Sequence, residues 1–157
     1  MRQGKLLAYI QPVFIDADMK ITAARIGTGR MEKTYAWKTM LDLGIRASGG
    51  SDAPVEPFNI MENIYFAVTR KDRQGQPAAG WLPEENLTVD EAVRLFTMEG
   101  AYASFEENVK GSLEVGKYAD LVVVDRNIYE ICPDDICNAK IVYTVVDGNV
   151  VYHAPEK

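Results

Sequence analysis

In the stretch Ile45-Arg46-Ala47-Ser48-Gly49-Gly50-Ser51-Asp52-Ala53-Pro54, a short apolar run opens into a glycine pair and then presents a serine and an aspartate. Glycine allows backbone angles and close approaches that residues with a Cβ resist. Pro54 stops simple sheet pairing and biases Ala53 toward an extended conformation. A strand that ends this way holds Asp52 on a bend at its carboxyl end, where α/β proteins place working carboxylates. The same residue types also make an Asx-turn or cap the next helix. From these ten residues alone, both readings stand.

Upstream, Leu6-Leu7-Ala8-Tyr9-Ile10 reads as a buried strand with no alternation, ended by Gln11-Pro12. Gln11 therefore stands at that strand's carboxyl end, either as a substrate contact or as an amide satisfying loop backbone. A short helix is expected around Met19 to Ile26, broken by Gly27-Thr28-Gly29. Met31 to Leu43 is expected as one helix, with Gly44 beyond its end. The strand from Ile45 follows at once, which gives the βαβ rhythm of a parallel sheet. Arg30 and Trp37 flank this helix. Arg30 is a candidate for gripping a substrate carboxylate or a solvated arginine, and Trp37 a candidate for substrate stacking or core.

Downstream, Asn59 can cap a helix carrying Ile60, Ile64, Ala67 and Val68. Thr69 to Asn86 is polar and reads as a surface excursion, with Gly80-Trp81-Leu82-Pro83 as a packed loop or a lid. Thr88-Val89-Asp90-Glu91 is a capping box, and Gly100 is expected to interrupt the helix it starts. Near Gly111 the pattern changes. Leu121 to Val124 and Ile141 to Val146 read as buried strands, the second joined through Asp147-Gly148-Asn149 to Val150-Val151-Tyr152. An α/β part over 1–108 and an all-β part over 109–157 are expected.

The 157 residues suffice for an ordinary core. With 47% hydrophobic and 25% charged residues, the composition is that of a soluble globular protein. The net charge of −6 without a basic stripe argues against nucleic acid. No apolar run spans a bilayer, and Met1-Arg2-Gln3-Gly4-Lys5 does not begin a signal peptide, so no membrane role and a cytoplasmic location are expected. Cys132 and Cys137 form a C-x4-C pair without the second ligand pair that a structural zinc site needs, and read as free thiols.

Several stretches together resemble one family. Gly50-Ser51-Asp52-Ala53-Pro54-Val55-Glu56-Pro57 is similar to the last barrel-strand motif of the metal-dependent amidohydrolase superfamily. Ala67-Val68-Thr69-Arg70, Thr88 to Phe105 and Lys110 to Asp125 extend the match, and Tyr9 to Phe14 with Tyr35-Ala36-Trp37 point to its family 3 branch. The resemblance implies a (β/α)8 barrel whose N- and C-terminal segments jointly build a β-sandwich. It implies a divalent metal, expected to be zinc, held by a His-x-His pair, a carboxylate or carboxylated lysine, two further histidines and an aspartate. The metal activates a water for attack on an amide-type, non-peptide C–N bond of a small molecule. Asp52 matches that aspartate, as metal ligand and proton acceptor, and Ser51 is placed to orient it.

One histidine, His153, is present in the whole sequence, and it matches no ligand of that pattern. A catalytic zinc normally takes three protein ligands, and a full barrel about 250 residues. The chain is therefore expected to be the C-terminal part of a larger enzyme, inactive and metal-free alone. Unpaired strand edges are expected to make it self-associate or pair with a complementary N-terminal chain. The alternative is a catalytically inactive, truncated scaffold or self-assembling module.

Overall fold

The computed structural model describes residues 6–155; the leading pentapeptide, Met1 to Lys5, lies outside them. Two strands pair in parallel, β1 (Ala8–Ile10) and β2 (Ala47–Gly49), with Ala8 opposite Ala47 and Ile10 opposite Gly49. The ladder runs one step further, as the Gly50 N–H donates to the Ile10 carbonyl at 2.9 Å. Alternation along the pleat gives the pair two faces. Ala8, Ile10 and Ala47 are buried on one of them. On the other, Tyr9 is 64% exposed, so the first strand is covered on one side and not on both as its unbroken apolar run suggested.

After β1 the chain turns through Pro12–Phe14 into α1 (Ile15–Asp18), then α2 (Thr22–Ile26) and α3 (Thr28–Met31). The single helix expected over Met31 to Leu43 is instead the short α4 (Trp37–Asp42). Tyr35 breaks the run with φ 51. Its carbonyl is taken by the Arg70 guanidinium at 3.0 Å and its hydroxyl donates to Asp18, so long-range partners replace the helical ladder. The helix end follows expectation. Ile45 N–H reaches the Met40 carbonyl and Gly44 N–H that of Leu41, the paired bonds of a Schellman motif, with Gly44 at φ +71.

Asn59 caps α5 (Ile60–Thr69) by accepting from the Glu62 N–H. Sequence spacing suggested an amphipathic helix, yet α5 is buried all round from Asn63 onward, which makes it the central post of the fold. Its Asn63 accepts from Val13 N–H at 3.2 Å and so pins the turn that follows β1. Thr69 to Asn86 is not a surface excursion throughout. Arg70, Asp72, Trp81 and Glu85 are buried, with Trp81 packed in the loop. The capping box forms at the start of α6 (Val89–Leu95). The break falls at Thr97, whose φ −126 and ψ −93 are not helical, and Gly100 lies inside α7 (Met98–Ala103); just before the break the Phe96 ring lies on Gly49, where a Cβ would stand 2.7 Å from it.

The remaining strands, β3 (Leu121–Val124), β4 (Ile141–Val146) and β5 (Asn149–His153), form an antiparallel sheet in that order. Asp147 at φ 48 and Gly148 at φ 76 make the tight turn between β4 and β5. β3 and β4 were expected to be buried. Instead Val122 and Val123 are exposed, as are Val150 and Val151 of β5, since the described residues place no second layer over them. Ile128, Ile136 and Ala139, from the connection between β3 and β4, do join the main core beside α5. Among the described residues, no helix is long and apolar enough to cross a membrane.

Candidate functional site

The carboxyl ends of β1 and β2 bring Gln11, Ser51 and Asp52 to one edge of the parallel pair. Alternation puts Tyr9 and Gln11 on one face with Ser48 and Gly50, and Ala8 and Ile10 on the other with Ala47 and Gly49; the first face is open at Tyr9 and covered at the buried Ser48. Ser51 is buried and Asp52 is exposed. Asp52 takes φ 57, a left-handed backbone that aspartate tolerates better than most residues. Its carbonyl accepts from Val55 N–H at 2.8 Å, closing a turn, while among the described residues its carboxylate accepts no hydrogen bond. The capping alternative thereby falls to Asn59, which caps α5. Among the described residues the Asp52 carboxylate stays uncommitted. Ser51 makes no hydrogen bond to it among the described residues.

Gln11 is half-buried, with its backbone extended and its carbonyl accepting from Phe14 N–H at 3.2 Å. Its side chain makes no cap bond. Arg30 lies on the exposed α3 and its Nε donates to the Ile26 carbonyl at 2.6 Å. Trp37 is in the core, edge-on to Tyr35 at 5.6 Å and beneath the Arg70 guanidinium at 4.7 Å. Neither Arg30 nor Trp37 shares a hydrogen bond with Gln11, Ser51 or Asp52 among the described residues.

Sequence reasoning assigned no role to two arginines. Arg70 is fully buried, donating to the Trp81 carbonyl at 2.6 Å and to Tyr35, with Trp37 and Trp81 on either side. Burial pushes its guanidinium down to about 10, against the pull of Glu85 and Glu84. Arg73 gathers Asp16, Glu56 and Glu62 at 2.7, 3.2 and 2.7 Å. Its guanidinium is pushed upward, first by its hydrogen bond to Glu62. Only the quoted Ala67-Val68-Thr69-Arg70 motif pointed at the first, and no local signal pointed at the second.

An α/β chain with an acid and an amide at parallel strand ends has known counterparts. A metal-dependent hydrolase from Pyrococcus furiosus superposes with a TM-score of 0.63 at 28% identity, over 75% of this chain and 23% of that one. The amidohydrolase family model matches residues 2–152, and the chain belongs to that family. YtcJ of Bacillus subtilis (strain 168), an amidohydrolase by name, is 35% identical over 143 residues, covering 91% of this chain and 27% of YtcJ. The N-substituted formamide deformylase of Arthrobacter pascens is 35% identical over 120 residues, covering 76% of this chain and 22% of the deformylase. The chain thus spans about a quarter of the length of these curated relatives.

Membership of a metal-dependent hydrolase family implies a divalent metal cofactor. The donors here do not suffice for one. Among the described residues, no three His, Cys, Asp or Glu side chains converge as a metal site. His153 stands on β5, with its ring stacked on Tyr143 at 4.4 Å. Asp52 alone is one ligand where a catalytic site needs about three.

Proposed function

We propose that this chain is the C-terminal part of a metal-dependent hydrolase acting on amide-type, non-peptide C–N bonds of small molecules. In this reading residues 1–108 supply the last strands and helices of a (β/α)8 barrel, and 109–157 supply strands of a composite β-sandwich. Asp52 would supply one carboxylate to a divalent metal, zinc by expectation, whose other ligands lie outside this chain; that metal would activate a water, and Asp52 is the group placed to take its proton. Gln11 faces the substrate from the neighbouring strand, and Ser51 supports the Asp52 turn from beneath. Arg30 and Trp37 drop out, since both are engaged elsewhere. The observation that carries the proposal is the uncommitted, exposed Asp52 carboxylate at the carboxyl end of a parallel strand in a chain of this family. Two free cysteines favour a cytoplasmic setting.

The remaining ligands come from a complementary N-terminal part, which covers the open faces of both sheets. Turnover of amide-type substrates by the full-length enzyme tests this. Asp52→Asn is expected to abolish it, and retained turnover would overturn the assignment. A second reading, an inactive self-assembling module, draws on the exposed valines of β3 and β5 and on the missing donor cluster. Light scattering separates the two. Under the first reading the chain forms a defined complex with its N-terminal part, and under the second it assembles with copies of itself whether or not that part is present.

A further inference from the structure

The loop that carries Asp52 is almost unsupported by packing. From Asp52 to Ile60 every residue is exposed except Glu56. Val55 is 67% and Phe58 is 83% exposed, so apolar burial does not hold this loop in place. One side of Asp52 is fixed by the Gly50 N–H bond to the Ile10 carbonyl. On the other side the loop is anchored where it enters α5, by the Asn59 cap, and between Asp52 and Asn59 the one side-chain tether among the described residues is the Glu56 carboxylate on Arg73 at 3.2 Å.

Arg73 also receives Asp16, at 2.7 Å through its guanidinium and at 2.9 Å through its backbone N–H. Asp16 opens the helix that follows Gln11 and the Pro12–Phe14 turn. A third carboxylate, Glu62 of α5, accepts from Nε at 2.7 Å. The same guanidinium therefore grips the segment behind Gln11, the loop behind Asp52 and the central helix. Its own position is fixed from below. Asp72 accepts from the N–H groups of Gln74 and Gln76, and the Tyr65 hydroxyl of α5 donates to the Asp72 carbonyl. A planar guanidinium with several fixed donors can hold more than one carboxylate in register, which an ammonium cannot.

We infer that Arg73 is a positioning residue. It clamps the Gln11 and Asp52 strand ends to α5 and thereby fixes where the Asp52 carboxylate points. This rests on the assignment of Asp52 proposed above. A misplacement of about 1 Å costs on the order of 100-fold in rate, so the side-chain tether nearest Asp52 on this side bears directly on turnover. Arg73 touches neither substrate nor metal in this scheme.

The test pairs amide hydrogen exchange on this chain with turnover by the full-length enzyme. Arg73→Gln is expected to speed exchange about tenfold across 11–18 and 52–59, with α6 and β4 unchanged. Glu56→Gln, a one-atom surface change that keeps the fold, is expected to do so at 52–59 alone. Both variants are expected to lower kcat about tenfold or more with KM little changed, and Arg73→Lys to recover part of the loss. Unchanged exchange at 52–59 in both variants, a uniform rise over every segment, or unchanged kcat would each overturn the clamp. Asp52→Asn keeps the two questions apart. It should leave the exchange pattern intact while removing turnover, and if turnover survives, the Asp52 assignment fails even where the clamp's exchange pattern holds.

Discussion

The two sheets carry similar sequences and meet opposite fates. Leu6 to Ile10 and Leu121 to Val124 are both short apolar runs, yet Ala8 and Ile10 are buried while Val122 and Val123 are exposed. The parallel pair lies against α6 and α7, with Phe96 seated on Gly49. The antiparallel sheet meets the core mainly through its long connection, which buries Ile128, Ile136 and Ala139, and through Val124 and Ile141 at the ends of β3 and β4. Apolar character in a strand thus states a demand for cover, and the layer that meets it can lie outside the segment. Contiguous exposed apolar patches mark interaction surfaces in folded proteins, and here the patch coincides with a chain about a quarter as long as its relatives.

If the parallel pair has one covered face and the antiparallel sheet none, substitutions at the covered face should cost stability and those on the open sheet little. The largest expected effect is at Arg70. Arg70→Ala orphans the Trp81 carbonyl, leaves the Tyr35 carbonyl with only its Trp37 N–H donor, and opens a cavity beside two tryptophans, for a loss of about 3 kcal/mol or more by denaturant titration. A loss under about 1 kcal/mol would show that burying the unpaired cation cancels its bonds. Next, Gly49→Ala drives a Cβ into the Phe96 ring at 2.7 Å, with about 1–3 kcal/mol expected for such overpacking. The thermal midpoint reads it, and an unchanged midpoint would mean that Phe96 moves freely.

Asp72 comes third. Burial raises its pKa, but the N–H bonds from Gln76 and Gln74 and the nearby Lys20 outweigh that and hold it below the usual carboxylate value. A lowered folded pKa stabilises fully above the unfolded value near 4, and the contribution fades as pH falls through the lower folded value. Asp72→Asn should therefore cost about 1–2 kcal/mol at neutral pH and flatten the acid side of a stability-against-pH curve. A parallel, undiminished acid slope would contradict it. The smallest effect is expected on the open sheet. Val151→Glu should leave the chain's stability within about 0.5 kcal/mol while preventing association with the complementary part, as read by analytical ultracentrifugation. A large loss in the isolated chain would mean that this face is covered by the chain itself.

What was legible in the sequence was local. Gly44 at a helix end, the Asn59 cap, the Thr88–Glu91 box and the Asp147-Gly148 turn each rest on neighbours within a few residues, and each is where the pattern put it. The break at Tyr35 and the burial of Arg70 depend on partners far away in the chain, so helical spacing over Met31 to Leu43 misled. The Arg73 cluster joins residues 57 apart, and in sequence its members are indistinguishable from solvated surface charges. Asp52 was legible twice over, as a strand-end acid and as a family motif. Its lack of partners in this chain was equally legible, from a single histidine.

The most direct test of the central claim is the divalent metal content of the full-length enzyme, measured by elemental analysis for the wild type and for Asp52→Asn at matched protein concentration. Stoichiometric metal in the wild type and a marked fall in the variant are expected, with turnover lost in parallel. Full metal content and full turnover in Asp52→Asn would contradict it.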